Sequence, residues 1–507
     1  MSLDPIQSLG YFVPELLLSV AVLAIFIADL VVPRKSLLGW VAFAGTALSL
    51  LAVLSTADSE GAWLFNRMIV HDPFATFFKG IFALATLITV WMSLNSKEVD
   101  ANQGEFYAIL LSSTLGMYFM ASSTNMLMAY LSLEFVSLTS YILTGYMRRN
   151  RRSGEASLKY LIYGGVASGT MIYGLSWVFG LTGSLDYAQI NHALTTGNVA
   201  PLPLFIALVM SLAGFGYKIS AAPFHMWAPD VYTGAPIPVT AFLSVGSKAA
   251  GFALLIRFFY PGLSTPLGGG NWGYLAEVNW PQFVLLVSMV TMTIGNLAAI
   301  QQSNLKRLLA YSSIAHAGYL LMGFVVLTDD GLKAVLFYLL VYYLMNFGAF
   351  LAVLLVVNST GREDIDGLRG LAWRGGWAPA VALGVFLFSL AGIPPLGGFI
   401  GKFYLFAAVI EQDLYLLALV GVLNSVVSLY YYARIVRTMF LDMPQGDEGS
   451  VTIDAPSGAI LAVLAVVTLV LGIYWAPVYS LAERAVTFHR EQPAAAAKAP
   501  PATAQLR

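Results

Sequence analysis

Ionisable side chains interrupt stretches that are otherwise apolar. Glu134 stands midway in one of them (Tyr130-Leu131-Ser132-Leu133-Glu134-Phe135). Lys248 lies within Gly246-Ser247-Lys248-Ala249-Ala250, Lys402 within Gly401-Lys402-Phe403, Lys218 late in a third stretch and His316 inside a fourth. A charge at mid-bilayer costs at least about 2.5–3.5 kcal/mol on insertion scales, so several such groups are hard to explain as packing. A lysine kept from water can lose about 3–5 pKa units from its usual value of about 10.4, which lets it load and release a proton. A nearby carboxylate holds the charge on, and moving that carboxylate makes a gate. The expected roles are Glu134 modulating Lys218, Lys248 relaying, and Lys402 passing protons outward. Residue type leaves other readings open: chloride or Na⁺ movement, an interfacial Lys218, Glu134 as a plain counter-ion, and His316 as a hydrogen-bonded packing residue.

These residues need membrane helices to hold them. The chain has 507 residues, 58% hydrophobic and only 10% charged, where a soluble domain carries about 25% charged residues. The apolar runs reach the roughly 20 residues that cross a bilayer, and the alternating strands of a barrel are not seen. The fold class is an all-α polytopic membrane protein with about 14 transmembrane helices. Spans are expected near residues 11–32, 37–56, 74–94, 105–121, 124–146, 157–181, 202–222, 237–260, 282–301, 306–327, 332–357, 378–410, 414–440 and 457–479. No Lys or Arg precedes the first run, so it reads as a retained helix and not as a signal peptide. Connections after odd-numbered spans hold most of the basic residues, including Arg34, Lys35, Lys97, Arg148, Arg149, Arg151, Arg152, Lys306, Arg362 and Arg369. Such loops stay cytoplasmic, which places both termini on the outer side. Glu15, Asp29, Lys79 and Arg257 fall near span ends and read as interfacial anchors.

The twelfth span is too long for one helix: at 1.5 Å per residue its thirty-odd residues would extend about 50 Å, against a core of about 30 Å. Its centre reads Gly392-Ile393-Pro394-Pro395-Leu396-Gly397-Gly398, and proline breaks helical hydrogen bonding. The seventh span ends similarly at Ala221-Ala222-Pro223, with Pro229 beyond. Broken helices five spans apart predict two inverted five-helix repeats, spans 4–8 and 9–13. The domains are then a three-helix segment (1–104), a first repeat (105–260), a second repeat (261–440), a C-terminal helix (441–490) and an Ala- and Pro-rich tail (491–507), expected to be disordered.

Other chemistries find little support. Net charge is −1, which gives no basic footprint for nucleic acid. The absence of cysteine removes disulfides and thiolate-ligated zinc or iron–sulfur sites from this chain. The five histidines (71, 192, 225, 316 and 489) form no spaced metal pair. Gly397-Gly398-Phe399-Ile400-Gly401-Lys402 imitates a phosphate loop, but Leu396 and Phe403 stand where the motif needs Gly and Ser or Thr, and no strand precedes it.

Three long motifs carry a family resemblance: GFGYKISAAPFHMWAPDVYTGAPIPVTAFLSVGSK (Gly214 to Lys248), LKRLLAYSSIAHAGYLLMG (Leu305 to Gly323) and LAGIPPLGGFIGKFYLF (Leu390 to Phe406). Together they resemble the antiporter-like subunits of proton-translocating NADH–quinone oxidoreductase (complex I), over roughly the first 480 residues. Within that family the chain is most similar to the N type. An L-type subunit would need a long lateral helix after the last span, and an M-type subunit typically has Glu where Lys402 stands. Tyr217 replaces the more usual Phe, a conservative departure. The resemblance implies 14 helices with two inverted repeats. It also implies Glu134 and Lys218 as a modulating pair, Lys248 as the connecting site and Lys402 as the exit-side site, with His225 as a candidate entry-side residue; His316, read from its mid-span position, is a candidate relay or entry residue. No cofactor is expected in this chain: NADH, FMN, iron–sulfur clusters and quinone belong to other subunits. The implied partners are those subunits, especially the antiporter-like subunit M and small membrane subunits such as K, together with membrane lipid. The implied location is the bacterial plasma (inner) membrane. A subunit of a multisubunit cation/proton antiporter or of a hydrogenase-type membrane complex is the alternative.

Overall fold

The computed structural model describes residues 3–99, 102–197, 199–275, 278–444, 451 and 453–486; the Ala- and Pro-rich tail lies outside them. Helices dominate. In chain order they are α1 (Pro5–Tyr11), α2 (Val13–Val31), α3 (Ser36–Ser55), α4 (Pro73–Leu94), α5 (Gln103–Ser122), α6 (Met126–Thr144), α7 (Arg151–Thr182), α8 (Tyr187–Thr196), α9 (Pro201–Ile219) and α10 (Trp227–Gly234). Then follow α11 (Ile237–Phe242), α12 (Lys248–Leu263), α13 (Trp280–Ile300), α14 (Leu305–Val325), α15 (Asp329–Thr360), α16 (Trp377–Ala391), α17 (Gly397–Glu411), α18 (Tyr415–Phe440), α19 (Ala455–Val470) and α20 (Ala476–Val486). Among the described residues, ten helices are long and apolar enough to cross a membrane, with α11 and α12 counted as one, and α16 and α19 are shorter apolar helices. The chain is thus an all-helical, multi-pass membrane protein.

Helix ends follow local chemistry. The Asp72 carboxylate accepts from Ala75 N at 2.8 Å and Pro73 opens α4, a side-chain cap followed by a residue that needs no donor. Both expected interruptions are present. α9 stops at Ile219, Ser220 takes a left-handed turn, and a cis Ala222–Pro223 bond leads into α10. α16 stops at Gly392, whose φ of +89° suits glycine, and a cis Pro394–Pro395 bond precedes α17.

The structure also corrects several expectations. The first span is α2, and a short helix, α1, precedes it. The sixth begins earlier than expected, at Arg151, because the Asn150 side chain caps Arg152 N and draws the basic loop into the helix. Two short antiparallel hairpins, β1 (Ala62–Leu64) with β2 (Ile69–His71) and β3 (Ser264–Gly268) with β4 (Asn271–Tyr274), leave the all-helical fold unchanged. They lie in connections, where the backbone must find partners outside a helix. Glu15, Lys79 and Arg257 are buried and not interfacial: Lys79 pairs with Glu15 at 2.6 Å and Arg257 with Asp72 at 2.6 Å. Each cation near a span end has met a carboxylate on another element, which removes its need for water. Asp29 does sit at a surface, paired with Lys35.

The most deeply enclosed helices are α12, α14 and α15, whereas α2, α3, α13 and α18 keep one apolar face exposed. The buried lysines and His316 therefore sit where side chains from several helices converge.

Candidate functional site

Lys218, Lys248, His316 and Lys402 are all at or below 4% exposed. Lys218 occupies the last turn of α9 and donates to Ser137 Oγ on α6 at 3.2 Å. Its stem passes α12 at Gly251, where a Cβ would lie 3.2 Å from Lys218 Cγ. Glycine there permits the close crossing, one turn from Lys248. Glu134 lies one turn before Ser137. It is within electrostatic reach of Lys218 but makes no contact pair with it, and its Oε1 has no hydrogen-bond partner. Glu134 is half-buried at the edge of an α6 face that exposes Leu127, Leu131, Phe135, Leu138 and Ile142.

Lys248 begins α12, directly after a five-residue π turn, Leu243–Ser247. Such turns shift helical register and occur often at functional sites. Its ammonium donates to both the carbonyl and the hydroxyl of Ser313 on α14. The neighbouring Ser312 bonds Tyr432 OH, which lies 3.4 Å from His316 Nε2. His316 Nδ1 meets Tyr338 OH at 2.7 Å, and the imidazole lies 5.7 Å from the Tyr319 ring. The Lys402 ammonium sits 4.6 Å from the centroid of that tyrosine's ring and donates to Ala391 O at 2.9 Å and Ser425 Oγ at 3.1 Å. Ser425 Oγ in turn lies 3.4 Å from Tyr319 OH. The helix break makes this arrangement possible, because α16 ends with Ala391 O free to accept and Gly392 leaves room for the lysine stem. His316 thus stands between Lys248 and Lys402, within electrostatic reach of both. None of the three lysines joins an ion pair among the described residues.

The structure gathers Lys248, His316 and Lys402 around hydroxyls and rings on and beside α14, and places Lys218 beside α12. It leaves His225 apart, in the turn between α9 and α10, with Nδ1 unpartnered. Sequence reasoning missed Ser312, Ser313, Tyr319, Tyr338, Tyr432 and Ser425. A signal did exist: Ser312, His316 and Tyr319 fall at i, i+4 and i+7, one face of a helix that proves almost wholly buried. Among the described residues, no group of three His, Asp or Glu side chains could hold a metal ion.

Comparison with known proteins supplies the lineage. The family described as NADH:quinone oxidoreductase/Mrp antiporter, TM, matches residues 123–428, which hold Glu134, Lys218, His225, Lys248, His316 and Lys402. NADH-quinone oxidoreductase subunit N 2 of Sorangium cellulosum is 46% identical over 96% of this chain and 99% of its own length. Subunit N of Anaeromyxobacter sp. is 45% identical over 96% and 98%. The chain belongs to the NADH-quinone oxidoreductase subunit N family. A chain of respiratory complex I from Thermus thermophilus superposes with a TM-score of 0.78 at 31% identity, covering 93% of this chain and 99% of that one. A chain of the Mrp complex from Dietzia sp. shares the fold, with a TM-score of 0.80 at 23% identity over 94% and 97%. Membership of the subunit N family makes the chain a non-redox membrane subunit of a translocase.

Proposed function

We propose that protons cross the membrane through this subunit on the Lys218, Lys248, His316 and Lys402 series, driven by electron transfer in other subunits of the NADH–quinone oxidoreductase. One observation carries the reading: three buried lysines have hydroxyl and carbonyl partners in place of carboxylates, and a buried histidine lies between two of them. A serine hydroxyl can accept from an ammonium or donate to a neutral amine, so such a site accommodates both protonation states. In this scheme Glu134 modulates Lys218, Lys248 relays to His316, and Lys402 releases outward. The exposed apolar face beside Glu134 suits a neighbouring membrane subunit, of the M or K type, whose movement would change the field at Lys218. Moving one charge against 100 mV requires about 2.3 kcal/mol, so the signal must shift proton affinity by at least that much.

The architecture suits this scheme. Counting α9 with α10, α11 with α12, and α16 with α17 as single crossings, α2 to α19 trace 14 spans once the extramembrane α8 is set aside. We read residues 105–260 and 261–440 as two inverted five-helix repeats, with the α9/α10 and α16/α17 breaks as counterparts. Segments 1–104 and 441–490 flank them, both termini lie outside, and the membrane is the bacterial inner membrane. The test is NADH-driven proton uptake by inverted membrane vesicles carrying Lys218→Ala or Lys248→Ala, with assembly checked. Assembled complexes that lose pumping and turnover together support the relay; assembled complexes that pump normally refute it.

A further inference from the structure

The relay as described has no route by which protons reach it from the basic end of the molecule. A cavity of about 1390 Å³ opens there, lined by Glu98, Tyr146, Arg152, Thr233, Lys306 and Glu363 among others. Its position beside the basic loops puts it on the cytoplasmic side. Lys306 is spoken for: it pairs with Glu363 at 2.8 Å and donates to Ala235 O at 3.2 Å. Glu98, in the α4–α5 connection, is in no ion pair among the described residues. Its Oε2 accepts from Ile237 N at 2.7 Å, the first amide of the helix that leads to Lys248. Burial raises the Glu98 carboxyl above the usual carboxylate range, against the opposing pull of Lys306 and the Ile237 amide; Glu363 adds to the rise.

From Ile237 to Lys248 is about 16 Å at 1.5 Å per residue. Along that path Thr240 and Ser244 stand one turn apart and Ser247 closes the π turn beside Lys248, a polar stripe through an otherwise apolar, fully enclosed helix. Asn346 on α15 donates to Ser244 Oγ at 2.6 Å. Asn346 Oδ1 and Ser247 Oγ are buried and have no protein partner. Buried polar atoms are costly to leave unpaired, and internal water is their usual partner. The stripe therefore has spare hydrogen-bonding capacity between the cavity and the lysine.

We infer that Glu98 is the proton-uptake carboxyl of this subunit, loading from the basic cavity and delivering along the Thr240–Ser244–Asn346–Ser247 stripe to Lys248. The inference rests on the relay proposed above. In chemical balance, Glu98 takes one proton from cytoplasmic water and passes one proton along the stripe, so no net charge stays on it over a cycle. Glu98 touches the transported proton; Asn346 is a positioning residue.

The test uses the intact complex in inverted vesicles with E98Q, E98D and N346L. Glutamine can still accept the Ile237 amide, so E98Q separates titration from capping. The expected result is assembled E98Q with pumping and turnover reduced at least about tenfold, below the 10²–10⁴ typical of a positioned proton-transfer group. E98D should recover part of the rate. N346L, which leaves Glu98 in place, should also slow it, and the alkaline limb of the pH–rate profile should move in E98D relative to wild type. Assembled E98Q that pumps like wild type, while Lys248→Ala does not, overturns the uptake role and leaves the relay standing. Normal pumping in both overturns both. If E98Q fails to assemble, N346L decides: a slowed assembled complex supports the route and a normal one overturns it.

Discussion

Lys79 and Arg257, at the end of the molecule away from the basic loops, each meet a carboxylate at 2.6 Å, with side chains 4% and 0% exposed. Lys218, Lys248 and Lys402, equally buried, meet serine hydroxyls and main-chain carbonyls. Burial therefore does not distinguish the two sets; the partner does. An ion pair holds both charges in place, and breaking one by removing a partner leaves a stranded charge. A hydroxyl accepts from an ammonium and donates to an amine, so the proton can leave without stranding anything. The first set reads as fastening for α2, α4 and α12, and the second as sites that change state.

The sharpest way to break this comparison is to unpair a fastener. Glu15→Gln strands the Lys79 charge at a cost of about 3–5 kcal/mol, enough to deplete the assembled complex in membranes. The double replacement Glu15→Leu with Lys79→Met should restore assembly, since apolar pairs of similar volume often substitute for buried ion pairs. Native gels of solubilised membranes read both. An assembled Glu15→Gln complex with impaired pumping would move the pair into the proton path and erase the distinction.

The converse change probes the other set. Lys402→Met removes no partner's charge, because Ala391 O, Ser425 Oγ and the Tyr319 ring are neutral. The complex should assemble, with NADH–quinone turnover and pumping down together by about tenfold or more, as for loss of a proton-transfer group. If assembly fails instead, Lys402 is fastening like Lys79.

The sequence carried the lysines and the breaks because both violate a simple rule: charge does not belong in a long apolar run, and proline does not belong in a helix. Gly392 and Pro394-Pro395 could be read at once. The hydroxyl partners could not, since serine and tyrosine are ordinary in membrane helices, and only the buried i, i+4, i+7 face of α14 sets Ser312, His316 and Tyr319 apart. The fastening pairs were misread for a related reason. Glu15 and Lys79 lie 64 positions apart on different helices, and a charge near a span end looks interfacial until the partner helix is in place. Glu98 was not singled out because it sits in a connection, where charge is unremarkable; its bond to Ile237 N is a tertiary contact.

The smallest effect comes from His71, at the margin of the paired region. Its Nε2 lies 2.8 Å from Ser59 Oγ and 3.1 Å from Thr56 O, and it faces Lys79, Asp72 and Glu15. Burial lowers the imidazole below its ordinary value, and the Lys79 charge adds to the fall; the Thr56 carbonyl and the two carboxylates oppose it. The unfolded chain takes up this proton near pH 6.5, whereas the native one resists until a lower pH. Below about pH 6.5 the unfolded state therefore binds more protons, and stability declines as pH falls through the window between the two values. His71→Gln keeps a polar group towards Ser59 but cannot titrate. The melting temperature of its purified complex should drop less between about pH 7.5 and about pH 5.5 than that of wild type. Its turnover should follow the wild-type pH profile, because His71 belongs with the fasteners. A change in the rate profile with unchanged melting would instead group His71 with the proposed proton carriers.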